Sequence, residues 1–277
     1  MRAAWDQIVQ GKHPYLDGVI IPRSCEAVTF IYQTWKRHLD HEFVDYLNVP
    51  WKQTEHTLQF FRKELERVRE HLEAFSGQAV SSDALNTTIG LYNRHRALMR
   101  RVYDLRAAEH PSISGRNVFD MVMSSFILPK ERHMELVSQC LHEIGDAPAS
   151  KRPRPRILIS GGCVIDGELW QLIESCGAII VADDVNNGAR TFWREVPEGD
   201  DPMDGLARTY MRAPCGFNTG ISDRFAFVSD LIARYRVQGV IFAVNKRCES
   251  EAFDYPELEK KIREQLGKPM TYSSSTS

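Results

Sequence analysis

Short apolar runs alternate with stretches of helical periodicity along this chain, and that alternation admits few folds. Val19-Ile20-Ile21 is bounded by Asp17-Gly18 and Pro22, Ile157-Leu158-Ile159 runs into Gly161-Gly162, and Ile179-Ile180-Val181 runs into Asp183-Asp184. Runs this short, closed by turn residues, read as buried strands, and strand–helix–strand at this spacing suggests a parallel βαβ unit. The pattern predicts a strand over 17–22, a helix over about 25–39 and a strand over 43–49 that Pro50 closes. A second series predicts a strand over 157–160, a helix over 167–176, a strand over 178–182 and an irregular stretch over 186–218. A helix over about 221–236, a strand over 239–244, a helix over 256–266 and a last strand beginning at 269–272 complete it.

Between the two series the periodicity is helical. Leu58, Phe61, Leu65, Val68, Leu72 and Phe75 recur at steps of three and four, one face of a helix that Gly77 stops. Ser81 or Ser82 caps the next helix, which is expected to bury Leu85, Ile89, Tyr92, Met99 and Val102. Pro111 and Gly115 interrupt, and two shorter helices follow, separated near Pro129. Residues 147–156, APASKRPRPR, read as a linker. The expected fold class is therefore α/β, with two doubly wound parallel-sheet domains, the first incomplete, and a helical segment between them. The expected boundaries are 1–51 for the partial N-terminal α/β domain, 52–147 for the helical region and 148–277 for the C-terminal α/β domain.

A length of 277 residues suits two domains. A net charge of −2 leaves no global basic field for nucleic acid, and the basic runs at 94–101 and 152–156 read as a solvated helix face and a linker. No apolar run approaches the roughly 18 residues of a membrane span, and the N-terminus has no apolar secretory core, so the expected compartment is the cytoplasm. There the six cysteines, at 25, 140, 163, 176, 215 and 248, are expected as thiols or metal ligands rather than disulfides.

Three of these cysteines lie just past the carboxyl end of an expected strand. Cys25 follows VIIPRS, Cys163 follows ILISGG and Cys248 follows VIFAVNKR. Loops beyond the strand ends of open parallel sheets form the ligand-binding crevice, and thiolates from separate loops are what an iron–sulfur cluster requires. The plainer reading is that each packs as a small hydrophobe. Cys140 on a helix and Cys176 in a helix end look structural, and Cys215 is open. Asp183 and Asp184 at another strand end suit a metal, a basic partner or a cap. Asp166 and Glu168 complement a helix dipole. Gly161-Gly162 makes a tight turn that would let backbone approach a phosphate such as that of CoA, but the full dinucleotide fingerprint is missing. No Walker loop, Ser–His–Asp pattern or His-x-x-x-His pair occurs.

Four segments carry a resemblance. LDGVIIPRSCEAVTFIYQTWKRH looks like the second cysteine segment of the benzoyl-CoA reductase / 2-hydroxyacyl-CoA dehydratase family, and GLYNRHRALMRRVYDL resembles its Asn-x-x-Arg helix through Asn93 and Arg96. RILISGGCVIDGELWQLIESCGAIIVADDVNNGAR resembles the opening of its C-terminal domain, and GVIFAVNKRCESEAFDYPELEKKI the segment with its last cluster cysteine; EAFDYP leans toward the reductase side. The resemblance implies an oxygen-sensitive, cluster-bearing enzyme subunit. In such a subunit three cysteines hold a [4Fe–4S] cluster in a cleft, and Cys25 and Cys248 match two of them. Cys163 is a conceivable substitute that is not among the usual ligands. The family's first cluster cysteine lies upstream of the segment that starts here, and the family runs on past the last strand, so on this reading the chain is truncated at both ends.

The implied partners are a related subunit in a hetero-oligomer, an ATP-hydrolysing iron–sulfur activator and an acyl-CoA substrate. The implied reaction passes low-potential single electrons to the thioester carbonyl through a ketyl-type radical, for ring reduction or for loss of a hydroxyl group. The alternatives are a 2-hydroxyacyl-CoA dehydratase subunit, a cluster-less subunit that binds acyl-CoA or a partner, and a generic α/β small-molecule-binding protein.

Overall fold

The computed structural model describes residues 2–145, 153–165, 167–215, 220–246 and 248–275. Most of the linker read at 147–156, Asp166 and part of the loop around Cys215 lie outside the described residues. In chain order the elements are α1 (Arg2–Val9), β1 (Gly18–Pro22), α2 (Glu26–His38), β2 (Phe43–Leu47), α3 (Glu55–Ser76) and α4 (Ser82–Asp104). Next come α5 (Gly115–Ser124), α6 (Lys130–Gly145), β3 (Arg156–Gly161), α7 (Gly167–Ser175), β4 (Ile179–Asp184) and α8 (Pro202–Tyr210). The last are α9 (Ile221–Arg234), β5 (Gly239–Asn245), α10 (Glu249–Leu266) and β6 (Met270–Ser275). They form two compact units, the first built from residues up to Asn86 together with Pro197–Arg212.

In the first unit β1 and β2 pair in parallel, from Gly18 opposite Phe43 to Pro22 opposite Leu47. The crossover helix α2 has Glu26 in its first turn and Lys36, Arg37 and His38 in its last, which complements its dipole. Thr54 and Thr57 form a reciprocal capping box at the start of α3, and Gly77, at φ 69°, ends it in the left-handed conformation. Leu58 and Phe61 of α3 pack on Ala207 and Met211 in and just after α8. Asp45 of β2 accepts from Arg67 Nη1 at 2.7 Å, which ties the strand to α3.

The second unit is a parallel sheet in the order β4-β3-β5-β6, covered on both faces. Leu158, Val240, Phe242 and Val244 face α9 and α10, where they meet Val228, Leu231, Leu258 and Ile262. Ile159, Ile180 and Ala243 face the other way, onto Trp170 of α7 and Phe119 of α5. Burial on both faces is why these strands read as unbroken apolar runs; every residue of β4 is buried.

Three expectations are corrected. The stretch read as irregular contains α8, started by the Asp201 side chain accepting from Asp204 N at 3.0 Å and by Pro202 at its first position. Helix α10 starts at Glu249, not at 256, with Pro256 inside it. Ala252, whose carbonyl Pro256 leaves without its helical donor, and Pro256 itself both face solvent, so the lost helical bond falls on the exposed side of the helix. Tyr92 is 39% exposed rather than buried, because Lys130 sits 5.5 Å from its ring centroid in place of core.

Candidate functional site

The strand order reverses between β3 and β5. Strand β3 leads through α7 to β4 on one side, and β5 leads through α10 to β6 on the other. The loops after these two central strands therefore part toward opposite faces and leave a crevice at their carboxyl ends. Cys163 follows β3 there and Cys248 follows β5. Gly161 makes the close approach: it sits at φ 137°, and a Cβ on it would lie 1.9 Å from the Ala243 carbonyl oxygen. Close packing of β3 on β5, rather than a phosphate cradle, accounts for this glycine.

The loop carrying Cys163 is fixed from both sides. Asn245 Nδ2 donates to the Cys163 carbonyl at 2.8 Å from the end of β5. From the loop after β4, Asn187 donates to Val164 O at 2.8 Å and accepts from Val164 N at 3.1 Å. Cys163 reaches solvent and Cys248 is half-buried. Protein packed around the thiol, and then the neighbouring Cys248, push Cys163 above the ordinary thiol value. Cys248 is the N-cap of the 18-residue α10 and makes no side-chain capping bond. A Cβ on Gly162 would lie 3.9 Å from Cys248 Sγ, so the glycine leaves that flank of the sulfur open.

Beneath these thiols lies a buried charge network that sequence reasoning missed. Glu251, 1% exposed, holds the first turn of α10: its Oε1 is 3.3 Å from Arg190 Nη1 and its Oε2 is 2.7 Å from Arg224 Nη2. Arg190 Nε also donates to Asp184 Oδ1 at 2.6 Å, and Arg224 Nη1 to Asp254 Oδ2 at 2.7 Å. Ser160 Oγ donates to Asp184 Oδ2 at 2.7 Å, so the end of β3 joins the same network. Burial pulls both guanidiniums down, but Asp184 and Glu251 more than offset it and hold them above their ordinary value. One signal was present in the sequence: Arg224 falls on the apolar stripe Phe227, Val228, Leu231 of α9, where a charge needs a partner.

The other flagged residues have structural partners. Asp183 accepts from Tyr103 Oη and from Ala189 N at 2.8 Å, so it caps the turn after β4; burial pushes its carboxyl up despite Arg106 nearby. Asp184 holds a basic partner, as above. Asn93 donates to Val196 O at 2.7 Å and accepts from Val196 N at 3.0 Å and from Arg96 Nη1 at 3.0 Å, so the Asn-x-x-Arg pair pins a loop onto α4. Cys140 lies on α6 and Cys176 is exposed just before β4, at the amino end of the sheet. Cys215 is half-buried, at the edge of the described residues. In the first unit, Cys25 is the half-buried N-cap of α2, directly after β1, and likewise makes no side-chain capping bond.

Cys25 and Cys248 thus occupy equivalent places, each a thiol at the N-cap of a long helix that follows a parallel strand. Thiolates are soft donors that suit iron, and a helix N-terminus favours the negative charge of a thiolate-bound cluster, so these donors fit one. Among the described residues no three His, Cys, Asp or Glu side chains are grouped to hold a metal ion by themselves. An open groove of about 670 Å³ begins beside Cys163, with Val164, Leu169, Leu172, Ala243 and Asn245 in its walls. Among the described residues no helix is long and apolar enough to cross a membrane.

A family model described as 2-hydroxyglutaryl-CoA dehydratase, D-component, matches residues 1–274. The chain is 26% identical over 257 residues to a benzoyl-CoA reductase subunit of Thauera aromatica, covering 90% of this chain and 67% of that one. It is 25% identical over 271 residues to the (R)-phenyllactyl-CoA dehydratase beta subunit of Clostridium sporogenes, covering 95% and 71%. It is 25% identical over 266 residues to the beta subunit of (R)-2-hydroxyglutaryl-CoA dehydratase of Acidaminococcus fermentans, covering 93% and 70%. These relatives are all named as enzyme subunits, and the match along nearly the whole chain shows that it belongs to the 2-hydroxyglutaryl-CoA dehydratase, D-component, family.

Proposed function

We propose that this chain is the iron–sulfur subunit of a benzoyl-CoA reductase-type enzyme acting in the cytoplasm, with Cys25 and Cys248 as ligands of a [4Fe–4S] cluster. The observation that carries the reading is the equivalent placement of these two thiols at helix N-caps after parallel strands. When bound, such a cluster would supply single electrons of low potential to the carbonyl of an acyl-CoA thioester. The chain's own share is positional. Glu251, Arg190 and Arg224 fix the start of α10 and hence Cys248, while Asn187 and Asn245 fix the opposite lip of the crevice. The names of the relatives support a second, related subunit as partner, and an ATP-dependent iron–sulfur activator would deliver the electron.

A 2-hydroxyacyl-CoA dehydratase subunit is the second reading, favoured by the family description and by the dehydratase names among the relatives. Anaerobic purification with iron and acid-labile sulfide analysis tests the shared part. About four irons per chain and a broad absorption near 400 nm are expected, and Cys25→Ser or Cys248→Ser lowers both while the fold persists. Wild-type iron in both variants refutes the ligand assignment. Assays with activator on benzoyl-CoA and on 2-hydroxyacyl-CoA esters then separate the two reactions.

A further inference from the structure

We propose that Cys163 is a ligand of the same cluster as Cys248, the two thiolates facing each other across the switch point of the second unit; this rests on the iron–sulfur reading above. Position is the first argument. Strands β3 and β5 are parallel neighbours in register, with Gly161 opposite Ala243, so the residues just beyond them emerge at one edge of the sheet. A Cβ on Gly162, the residue before Cys163, would lie 3.9 Å from Cys248 Sγ, so the two cysteines are close in space.

Exposure is the second argument. A cysteine that only packs as a small hydrophobe is buried, and Cys163 is not. The third is rigidity. Asn245 holds the Cys163 carbonyl and Asn187 holds both polar groups of Val164, so two neighbouring strand ends fix the loop in advance. A ligand must be held in this way, and an exposed loop of no function need not be. The fourth is space: Gly162 leaves open the flank of Cys248 Sγ that faces this loop.

A structural zinc site needs four protein donors, and among the described residues not even three are grouped. A [4Fe–4S] cluster brings its own sulfides and takes one thiolate per iron, and Cys163 and Cys248, from adjoining strands, would supply two of the four.

The test uses the holoprotein, purified anaerobically, in wild-type, Cys163→Ala, Cys163→Ser, Cys248→Ser and Cys140→Ala forms. The readouts are iron content, the electron paramagnetic resonance spectrum after dithionite reduction, and far-ultraviolet circular dichroism. Cys163→Ala is expected to lower iron at least twofold. Cys163→Ser, which keeps an oxygen donor, is expected to retain more iron with shifted g-values. Cys140→Ala stays at wild type. Wild-type iron and g-values in both Cys163 variants overturn the proposal and leave the iron–sulfur reading standing; no iron in the wild type overturns both. Should the variants fold poorly, iodoacetamide labelling of the wild type decides the matter. Cys163 should be protected until the iron is chelated, and labelling of the loaded protein at the rate of a free exposed thiol overturns the proposal.

Discussion

Glu251→Gln removes one charge from a buried network and keeps its shape. Glu251 lies 2.7 Å from Arg224 and 3.3 Å from Arg190, and all three side chains are at most 4% exposed. At 2.7 Å and an effective dielectric of about 20, the Arg224 contact alone is worth about 6 kcal/mol. Neutralising Glu251 also removes the desolvation penalty of its carboxylate, and both arginines keep Asp184, with Asp254 also on Arg224. The net loss expected is about 3 kcal/mol, the lower end for breaking a buried pair. Guanidinium unfolding of the anaerobic protein measures it. In a double-mutant cycle with Arg224→Met, the double variant should be at least about 1.5 kcal/mol more stable than the sum of the singles predicts. A loss below about 1 kcal/mol with no coupling would refute the view that Glu251 anchors the start of α10, since water would then have to reach the site and replace it.

Gly161→Ala places a Cβ against the Ala243 carbonyl at a φ that L residues rarely adopt. A loss of at least about 3 kcal/mol is expected, or no soluble protein, and a melting temperature within a degree of wild type would contradict the close-approach argument. Asn93→Ala strips both polar groups of Val196 of their partner. About 2 kcal/mol should be lost, with faster amide exchange at Val196; unchanged exchange there counts against the clamp. The buried pair His95 and His133, 3.0 Å apart, should make stability acid-sensitive. Burial, then Lys130, His133 and Arg96, depress His95 to about 4. The neutral form is therefore the stable one: its contribution is complete above the ordinary value of 6.5, declines as pH falls below it and is lost as pH passes about 4. The expected fall is about 2 kcal/mol after allowing for partial solvation, and a His95→Gln variant with the same pH slope would rule this out.

The strands were legible because both faces of the sheet are covered, so each strand had to be apolar throughout; β4 is the extreme case. Helix α8 was not, because its buried positions include Pro202, Gly205 and Ala207, which carry little hydrophobic signal beside Met203. The true start of α10 was hidden by Pro256, which marks a helix start far more often than it sits within one. Position after a strand drew attention to Cys25, Cys163 and Cys248. That Cys163 and Cys248 are neighbours depends on the order β4-β3-β5-β6, which no local pattern encodes. The arginines of the network were illegible for a related reason: a charge in sequence reads as surface until its partners are located, and Arg190 and Glu251 are 61 residues apart.

The reversed strand order also sets a timetable. Strands β3 and β4 are joined through a short crossover and can pair early, whereas β3 and β5 are brought together across a separation such as the 82 residues between Cys163 and Asn245. Closing so long a loop lowers chain entropy before any contact repays it, and parallel pairing at this range is slow. The crevice beside Cys163 and Cys248 is therefore among the last features of the second unit to form. Any cofactor that needs both lips of the crevice is therefore loaded after the sheet has closed, and Cys163, which reaches solvent even in the folded unit, is open to oxidation before and after that point.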